Sequence, residues 1–425
     1  MDTLPSDARP DRHAATARQR VAVEPLDAAR LAQAKRSFTT RRVDLAVGKT
    51  LVTGHVRPRT GDLVLARVAR IGQHAKLESP EGRRALMHLG DEILVTFADR
   101  YAPDQFESQV PRGLGAAHLV ASGGVASLMI SRNAGVRRPT DIAPIGLVGD
   151  ARGVPLNLAD FGLEPVAPPE HRPPVVAVVG TSMNSGKTTT SHWLVHTLAR
   201  AGLKPGATKV TGTGSGGDYW VMKDAGAHMM LDFTDVGLAS TFRIDMDTIE
   251  RKAIELIDHL AVGGSGAIAV EVADGLFQHE TARLLQSDAF RSRVDAFIFA
   301  AADSMGAIGG YERLRILDLP VVGISGRLTR SPLSVRETVK ACEVPVFTLA
   351  DLADPRIVMP LFGMEAPAEP EAEPADVVPA LRAPEKPEPA YEPLARAASD
   401  TVASDVSRWR AIPLRPVREM TVADG

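Results

Sequence analysis

The sequence has little cysteine, no long apolar run and no large excess of charge of either sign. Cys342 is the one cysteine among 425 residues, so the chain cannot form an internal disulfide or a thiolate metal cluster. No apolar run approaches the ~20 residues that a transmembrane helix needs. Asp2, Asp7 and Asp11 interrupt the start of the chain, where a signal peptide would be apolar. We therefore expect a cytoplasmic protein that does not bind a membrane.

Charge and composition set further limits. The chain has 49 Lys and Arg residues against 52 Asp and Glu residues, a formal net charge of -3. It therefore has no global attraction for nucleic acid, and we expect none as a partner. With 44% hydrophobic and only 4% aromatic residues, a chain of this length is typical of two ordinary domains with tails.

The strongest functional signal is an apolar run that leads into a Gly-Lys-Thr sequence. Residues 175–190 read VVAVVGTSMNSGKTTT, a pattern of strand, loop and helix that predicts a phosphate-binding loop rather than a chance surface turn. Backbone amides at the helix start would face the phosphates, Lys187 would add a charge, and the Thr188 hydroxyl would bind Mg²⁺. The predicted cofactor-binding residues of this loop are Gly180, Thr181, Asn184, Ser185, Gly186, Lys187, Thr188 and Thr189.

Helical segments and apolar runs alternate after this loop. The helical segments are 188–201, 246–261, 281–290 and 331–342, and the apolar runs are 207–210, 267–270, 296–300 and 321–324. This alternation predicts an α/β fold with a parallel sheet and helices on both faces. Ligands of such sheets bind at the carboxyl ends of the strands, so the residues that directly follow each run are the candidates for a site.

Two of these strand ends carry candidate catalytic or metal-binding groups. Lys209 precedes the glycine-rich residues 212–217, and we predict a loop that approaches a substrate or γ-phosphate, with Lys209 as a second cation and Asp218 as an acid or metal ligand. A flexible turn is the alternative, and a dinucleotide fingerprint is disfavoured because it would follow the first strand. Glu271 lies where a magnesium-binding acid is expected. Asp274 is the second choice, and a structural ion pair is the alternative for Glu271.

The other strand ends give weaker signals. Ser325, Gly326 and Thr329 follow the last apolar run, where nucleotide-binding sheets often hold the base, and we predict that they contact the cofactor. The neighbouring arginines, at positions 327 and 330, fit either contact or solvation. Asp232 and Asp235 either orient a substrate amine or water or have a structural role.

Together these motifs carry a family resemblance. The series is GTSMNSGKTT at 180–189, KVTGTG at 209–214, LDF at 231–233, VEVADG at 270–275 and ISGRLTRSP at 324–332. It resembles a P-loop family of formerly unknown function that includes a D-glutamate N-acetyltransferase, over roughly residues 173–360. More distantly the chain is similar to dethiobiotin synthetase and the cobyrinic acid diamide synthetases. The synthetase's lysine and its Glu-Gly-Ala-Gly-Gly magnesium site would fall on Lys209 and on residues 271–275, which here read Glu-Val-Ala-Asp-Gly.

The remaining sequence suggests the domain organisation. Short β-type runs at 61–71 and 92–97 predict a small barrel or sandwich, and a proline-rich stretch marks a boundary. We predict a loop at 100–107 that packs Tyr101 and Phe106 against this barrel, with a site lining as the alternative. The predicted divisions are a polar segment 1–40, a β-rich domain 41–164, a linker 165–174, a P-loop α/β domain 175–362 and a disordered Pro/Ala/Glu-rich tail 363–425 with a docking piece 406–417.

The leading functional hypothesis is an ATP- and Mg²⁺-dependent enzyme that activates a small carboxylate or amine by phosphoryl transfer, as ligases and synthetases do. The resemblance implies an alternative, an amino-acid N-acetyltransferase in which the loop holds acetyl-coenzyme A. A regulatory NTPase adaptor is the third hypothesis. We expect a small-molecule substrate, with an amino acid among the candidates, and a homo-oligomer.

Overall fold

A computed structural model of the protein describes residues 21–365. Half of the predicted polar segment and nearly all of the predicted tail, including the piece 406–417, lie outside the described residues. Two large sheets lie within one compact unit. The domain boundary at 165–174 therefore stays a prediction from the sequence.

The first sheet is formed by the amino-terminal part of the chain. Five strands close a ring, because β4 pairs with β7 and β11, β7 with β10, β10 with β9, and β9 with β11. This ring is the small barrel that the short β-type runs predict. The nine strands of this sheet are β1 Ala22–Pro25, β2 Lys35–Arg36, β3 Thr50–Thr53, β4 Leu63–Arg70, β7 Glu92–Phe97, β8 Phe106–Gln109, β9 Ala117–Ala121, β10 Val125–Arg132 and β11 Thr140–Gly149. β5 Lys76–Glu78 and β6 Arg84–Leu86 pair with each other as a separate hairpin.

The first half of strand β4 is buried on both faces. Along β4, Val64 and Val68 belong to one core cluster, whereas Leu63 and Leu65 belong to another. Successive side chains of a strand point to opposite faces, so the first half of β4, residues 63–66, is apolar on both faces, whereas Arg67 and Arg70 in its second half are exposed. The outer face must therefore be covered, and residues 26–45 with the α/β part of the chain, through Ala239, supply part of that cover.

The second sheet is parallel throughout, in the order β14-β13-β15-β12-β16-β17. Its strands are β12 Val175–Gly180, β13 Pro205–Lys209, β14 Met229–Asp232, β15 Ala267–Glu271, β16 Ala296–Ala300 and β17 Val321–Ser325. Val175 and Val179 pack in one core cluster and Val176 and Val178 in another, so helices cover both faces. The predicted fold class is confirmed.

The helices are α1 Ala28–Gln33, α2 Lys187–Arg200, α3 Gly216–Asp224, α4 Met246–Val262, α5 His279–Leu284, α6 Asp288–Arg291, α7 Ser304–Ile316, α8 Pro332–Ala341, α9 Leu349–Leu352 and α10 Pro355–Leu361. Helix α4 illustrates why they form: the Asp245 side chain accepts a hydrogen bond from the Thr248 amide at 2.9 Å, and Ile249, Ala253 and Leu256 are buried along one face. None of these helices is long and apolar enough to cross a membrane.

Two sequence expectations differ from the structure. The helix predicted at 281–290 is interrupted, because the Ser287 hydroxyl accepts a hydrogen bond from the Phe290 amide and begins α6 as a separate turn. The glycine-rich residues 212–217 do not form a loop throughout, since Gly216 begins α3. The cause is tertiary: the Glu78 carboxylate of the barrel accepts a hydrogen bond from the Gly216 amide at 2.7 Å.

Candidate functional site

A cavity of about 530 Å³ lies between the carboxyl ends of the parallel strands and the barrel. The α/β side contributes the phosphate loop and the ends of β13 and β15. The barrel side contributes His74, Arg100, Tyr101, Ala121 and Ser122. Because both sheets line this cavity, the site belongs to neither part of the chain alone.

The phosphate loop has the backbone geometry that its sequence predicts. Gly186 has a φ of 108°, and a Cβ at this position would lie 2.7 Å from the Cα of Gly326. Gly326 in turn has a φ of 102° and room for no side chain, since its Cβ would lie 2.5 Å from the Ser185 carbonyl oxygen. Both positions require glycine because the backbone of the phosphate loop and the backbone after β17 are in close contact. The segment after β17 thus supports the phosphate loop.

Lys187 is buried at the start of α2, with 6% of its surface exposed. Its Nζ donates hydrogen bonds of 2.8 Å to the carbonyl oxygens of Ser182 and Asp274. The first amides of α2 have no partner one turn earlier, which leaves them available to an anion. Lysine and amides therefore converge on one end of the cavity.

Two carboxylates and a second lysine surround the Thr188 hydroxyl. Its Oγ1 lies 3.3 Å from Oδ1 of Asp218 and 3.2 Å from Oε1 of Glu271. The Lys209 ammonium is ion-paired with Asp218 and lies 3.6 Å from Glu271 Oε1. The other carboxylate oxygen of Glu271, Oε2, is buried and has no hydrogen-bond partner among residues 21–365. The sequence thus identified these four residues, and the structure brings them together.

Burial and the two ammonium groups set the ionisation of this cluster. Burial raises the pKa of Glu271, an effect that the charge of Lys209 opposes. Burial would also raise the pKa of Asp218, but the Lys209 ammonium outweighs it and the pKa is lowered. Burial lowers the pKa of Lys187, against the opposing charge of Glu271. These opposed shifts in one cavity are typical of a functional site.

Asp274 is held in an unusual conformation at the cavity wall. Its φ of 65° is left-handed, which is uncommon for a residue with a side chain. The residue is 9% exposed, its carboxylate forms no hydrogen bond or ion pair with the described residues, and burial raises its pKa. Strain of this kind concentrates at functional sites.

The barrel wall of the cavity is held directly against the phosphate loop. The Asn184 side chain donates a hydrogen bond of 2.9 Å to the Asp104 carboxylate. Tyr101 lines the cavity, and the centre of its ring lies 5.6 Å from the centre of the Phe242 ring. Phe106 is buried in the barrel core. Phe106 therefore packs in the barrel as predicted, although it begins strand β8. Tyr101 packs on the α/β part and lines the site, which was the alternative.

Two further contacts fix the barrel relative to the site. Glu78 binds the first turn of α3, the helix that carries Asp218. Arg41 forms ion pairs with Asp232 and Asp235 and lies over the rings of both Phe38 and Tyr219. Asp232 and Asp235 are thus engaged by an arginine of the chain, which is the structural role left open by the sequence, and they do not line the cavity.

Some predicted cofactor-binding residues do not line the cavity. The Ser325 hydroxyl donates to the Phe347 carbonyl, and the Thr329 hydroxyl donates to the Gly326 carbonyl. Gly180, Thr181 and Ser185 belong to the phosphate loop but do not line the cavity, whereas Asn184, Gly186, Lys187, Thr188 and Thr189 do. Arg327 and Arg330 are the residues of the last loop that reach the cavity wall, and neither side chain has a partner within residues 21–365.

The donor set near Thr188 fits Mg²⁺ better than a transition metal. Within residues 21–365 no group of three or more His, Cys, Asp or Glu side chains could hold a metal ion. Magnesium, however, commonly binds through one or two protein oxygens together with phosphate oxygens and water. The Thr188 hydroxyl and the unpartnered Oε2 of Glu271 are oxygens of that type.

Comparison with known proteins adds structural matches. No protein-family model and no curated protein matches the chain. Among solved structures, the signal recognition particle 54 kDa protein from Aeropyrum pernix K1 in complex with GDP is 25% identical, over 46% of this chain and 47% of that one, with a TM-score of 0.32. The signal recognition particle receptor FtsY from Elizabethkingia anophelis is 15% identical, over 46% and 68%, with a TM-score of 0.30. Its complex with GDP is 14% identical, over 43% and 58%, with a TM-score of 0.32.

The chain matches about half of the length of the first of these structures. The class of the protein follows from its own architecture, a parallel sheet with a glycine-lysine-threonine loop between an internal strand and a helix. The protein has a P-loop NTPase-like fold, joined to a barrel that forms one wall of the site.

Proposed function

We propose that this protein is an ATP- and Mg²⁺-dependent enzyme that transfers the γ-phosphoryl group to a small carboxylate or amine, in the manner of a ligase or synthetase. The observation that carries the proposal is the position of the Thr188 hydroxyl between the carboxylates of Asp218 and Glu271. A magnesium site beside a phosphate loop is needed for γ-phosphoryl transfer and is dispensable for attack on a thioester.

In this proposal the residues act mainly by position and charge. The loop amides and Lys187 bind the phosphates, with Nζ exchanging the Ser182 and Asp274 carbonyls for phosphate oxygens. The acceptor attacks the γ-phosphorus, the bond to the β-phosphate oxygen breaks, and ADP leaves. Lys209 offsets the charge of Asp218 beside the reacting groups. Thr188 and Glu271 would hold Mg²⁺, which supplies further charge neutralisation.

A second candidate is an N-acetyltransferase in which the loop holds the diphosphate of acetyl-coenzyme A. Its support is the motif resemblance to the family that includes a D-glutamate N-acetyltransferase, together with Arg327 and Arg330, two unpaired cations at the cavity wall. An amine would attack the thioester carbonyl and coenzyme A would leave as the thiol. A regulatory NTPase adaptor, the third candidate, would hydrolyse ATP without any acceptor.

The products of the reaction separate these candidates. The protein is incubated with ATP, acetyl-coenzyme A and a panel of carboxylates and amino acids, singly and combined, while ADP and free thiol are followed. We expect ADP to form in step with an acceptor product. Release of thiol without any need for ATP would overturn the proposal, and ADP formation that no acceptor accelerates would favour the adaptor.

Two substitutions test the assigned roles. Lys187→Ala should abolish nucleotide binding in calorimetry, at some cost in melting temperature because Nζ also binds two carbonyls. The Glu271→Gln variant should still bind nucleotide. Its turnover should fall at least ~100-fold and should lose most of its dependence on Mg²⁺. Glu255→Gln is the matched control, since Glu255 is also buried but pairs with Lys252 within α4 and does not line the cavity. Mg²⁺-dependent turnover that survives in Glu271→Gln would make Glu271 structural.

A further inference from the structure

We propose that Arg100 of the barrel binds a carboxylate of the acceptor, so that the first part of the chain recognises the acceptor while the α/β part holds the nucleotide. This inference rests on the proposed function in taking the shared cavity as the acceptor site.

The Arg100 guanidinium is buried but forms no ion pair. The residue is 7% exposed and lines the cavity. No carboxylate of residues 21–365 lies within ion-pair distance of it, and its Nε has no hydrogen-bond partner. The charges of Asp104 and Asp274 raise the pKa of Arg100 only from beyond ion-pair distance. Burial lowers the pKa of Arg100 to about 10, so the group is still charged at neutral pH.

The nearest polar neighbour, His74, does not satisfy this cation. Burial and the Arg100 charge lower the pKa of His74 to about 4, so the ring is neutral at pH 7. Its Nε2 lies 2.9 Å from the Val120 carbonyl oxygen, and because a carbonyl only accepts, Nε2 carries the proton. The 3.5 Å approach of an Arg100 nitrogen to this Nε2 therefore brings two donors together. Arg100 therefore lines the cavity while its guanidinium has no acceptor among residues 21–365.

The Phe106 ring, whose centre is 5.9 Å from the Arg100 guanidinium carbon, is the aromatic contact of this cation. A buried guanidinium without an ion pair is costly for a fold and is commonly retained for a ligand. Its planar fork matches the two oxygens of a carboxylate. A phosphate would satisfy the same fork, but the nucleotide phosphates have their own donors in the loop amides and Lys187. Arg100 lies on the barrel wall, which leaves the acceptor as the molecule that it contacts.

Binding measurements with paired probes test this assignment. Small mono- and dicarboxylic acids and their primary amides are titrated by ligand-observed NMR, with and without Mg²⁺ and a non-hydrolysable ATP analogue. For the wild-type protein we expect at least one acid to bind ~10-fold more tightly than its amide. Arg100→Gln should remove that preference, and Arg100→Lys should restore it only in part because lysine lacks the bidentate fork.

Controls distinguish this role from a structural one. Arg59→Gln, an exposed barrel arginine outside the cavity, should leave the acid preference unchanged. Arg100→Gln should melt at the same or a higher temperature than the wild type, because the unpaired buried charge is removed. Its affinity for the ATP analogue should change less than about twofold.

Three results would overturn the assignment. They are an acid preference that survives in Arg100→Gln, no acid preference in the wild type, and a loss of ATP-analogue affinity in Arg100→Gln as large as the loss for acids. The last would make Arg100 a γ-phosphate contact. Failure of the wild type to bind the ATP analogue would contradict the proposed function instead, and the titrations without nucleotide would still decide the role of Arg100.

Discussion

Arg41→Met should destabilise the protein more than the loss of an exposed surface charge, because it breaks one of the buried contacts that join the barrel part to the α/β part. The guanidinium lies 4.1 Å from the centre of the Phe38 ring and 5.0 Å from that of Tyr219. It is ion-paired with Asp232 at 3.0 Å and with Asp235. The methionine keeps most of the apolar contact but leaves two buried carboxylates without their cation.

The expected loss is about 4 kcal/mol in the free energy of unfolding. Removal of one partner from a buried pair costs about 3–5 kcal/mol, and the contact with two rings adds about 1 kcal/mol. The lower part of the first range applies, because the carboxylates keep other donors: Asp232 accepts from the Thr234 amide at 2.8 Å, and Asp235 accepts from the Asp232 amide at 2.9 Å.

The loss should depend on pH in a defined direction. Burial, only partly opposed by Arg41, raises the pKa of Asp235 to about 6, above the value of about 3.9 expected in the unfolded chain. A carboxyl group whose pKa is higher in the folded than in the unfolded state stabilises the fold. This stabilisation is fully present below pH ~4 and is lost as the pH rises through about 6. Without Arg41 that pKa rises further, so the deficit of the variant should be largest near pH 8 and shrink toward pH 5.

Urea unfolding followed by far-UV circular dichroism and by tryptophan fluorescence measures the effect at both pH values. Trp220 is a useful probe, because its ring packs against Gly82 of the barrel. Arg42→Met is the matched control: Arg42 is exposed and its closest carboxylate contact is 3.9 Å, so it should cost at most about 1 kcal/mol. Arg41→Met combined with Asp235→Asn should recover about half of the loss. A loss below about 1 kcal/mol, or one that grows as pH falls, would refute the reasoning.

Two further predictions concern backbone contacts around the cavity. Gly186→Ala should lower nucleotide affinity at least ~100-fold in calorimetry, since its Cβ would lie 2.7 Å from Gly326 Cα; Gly202→Ala, at a φ of 80° in open space, is the control for strain alone. Near-normal binding by Gly186→Ala would contradict the predicted loop geometry. Gly123→Ala should lower the melting temperature by several degrees, about 2 kcal/mol, because its Cβ would lie 2.2 Å from the Gly214 carbonyl oxygen and push the barrel from the loop before α3. An unchanged melting temperature would show that the barrel and the α/β part can move apart at this contact without loss of stability.

The sequence by itself determined the α/β architecture and the phosphate side of the site. The apolar run before Gly180 and the apolar periodicity of α2 and α4 are local patterns, so they are readable without knowledge of the rest of the fold. Parallel strands place their carboxyl ends at one edge, and Lys209 and Glu271 could therefore be assigned to one site from order alone. Two of the barrel strands, β4 and β7, were readable for the same reason, from the apolar runs at 61–71 and 92–97.

Only the tertiary structure decided how the barrel and the sheet make one cavity. Arg100 lies near the phosphate loop, and Asp218 lies near Thr188, because Glu78 and Arg41 hold segments together that are distant in sequence. No local sequence pattern predicts which residues Glu78 and Arg41 contact. The start of α3 at Gly216 also depends on Glu78, a residue 138 positions earlier in the chain. Pairings of this kind depend on which surfaces are complementary after the strands and helices have formed, whereas the strands and helices follow from the spacing of apolar residues along the chain.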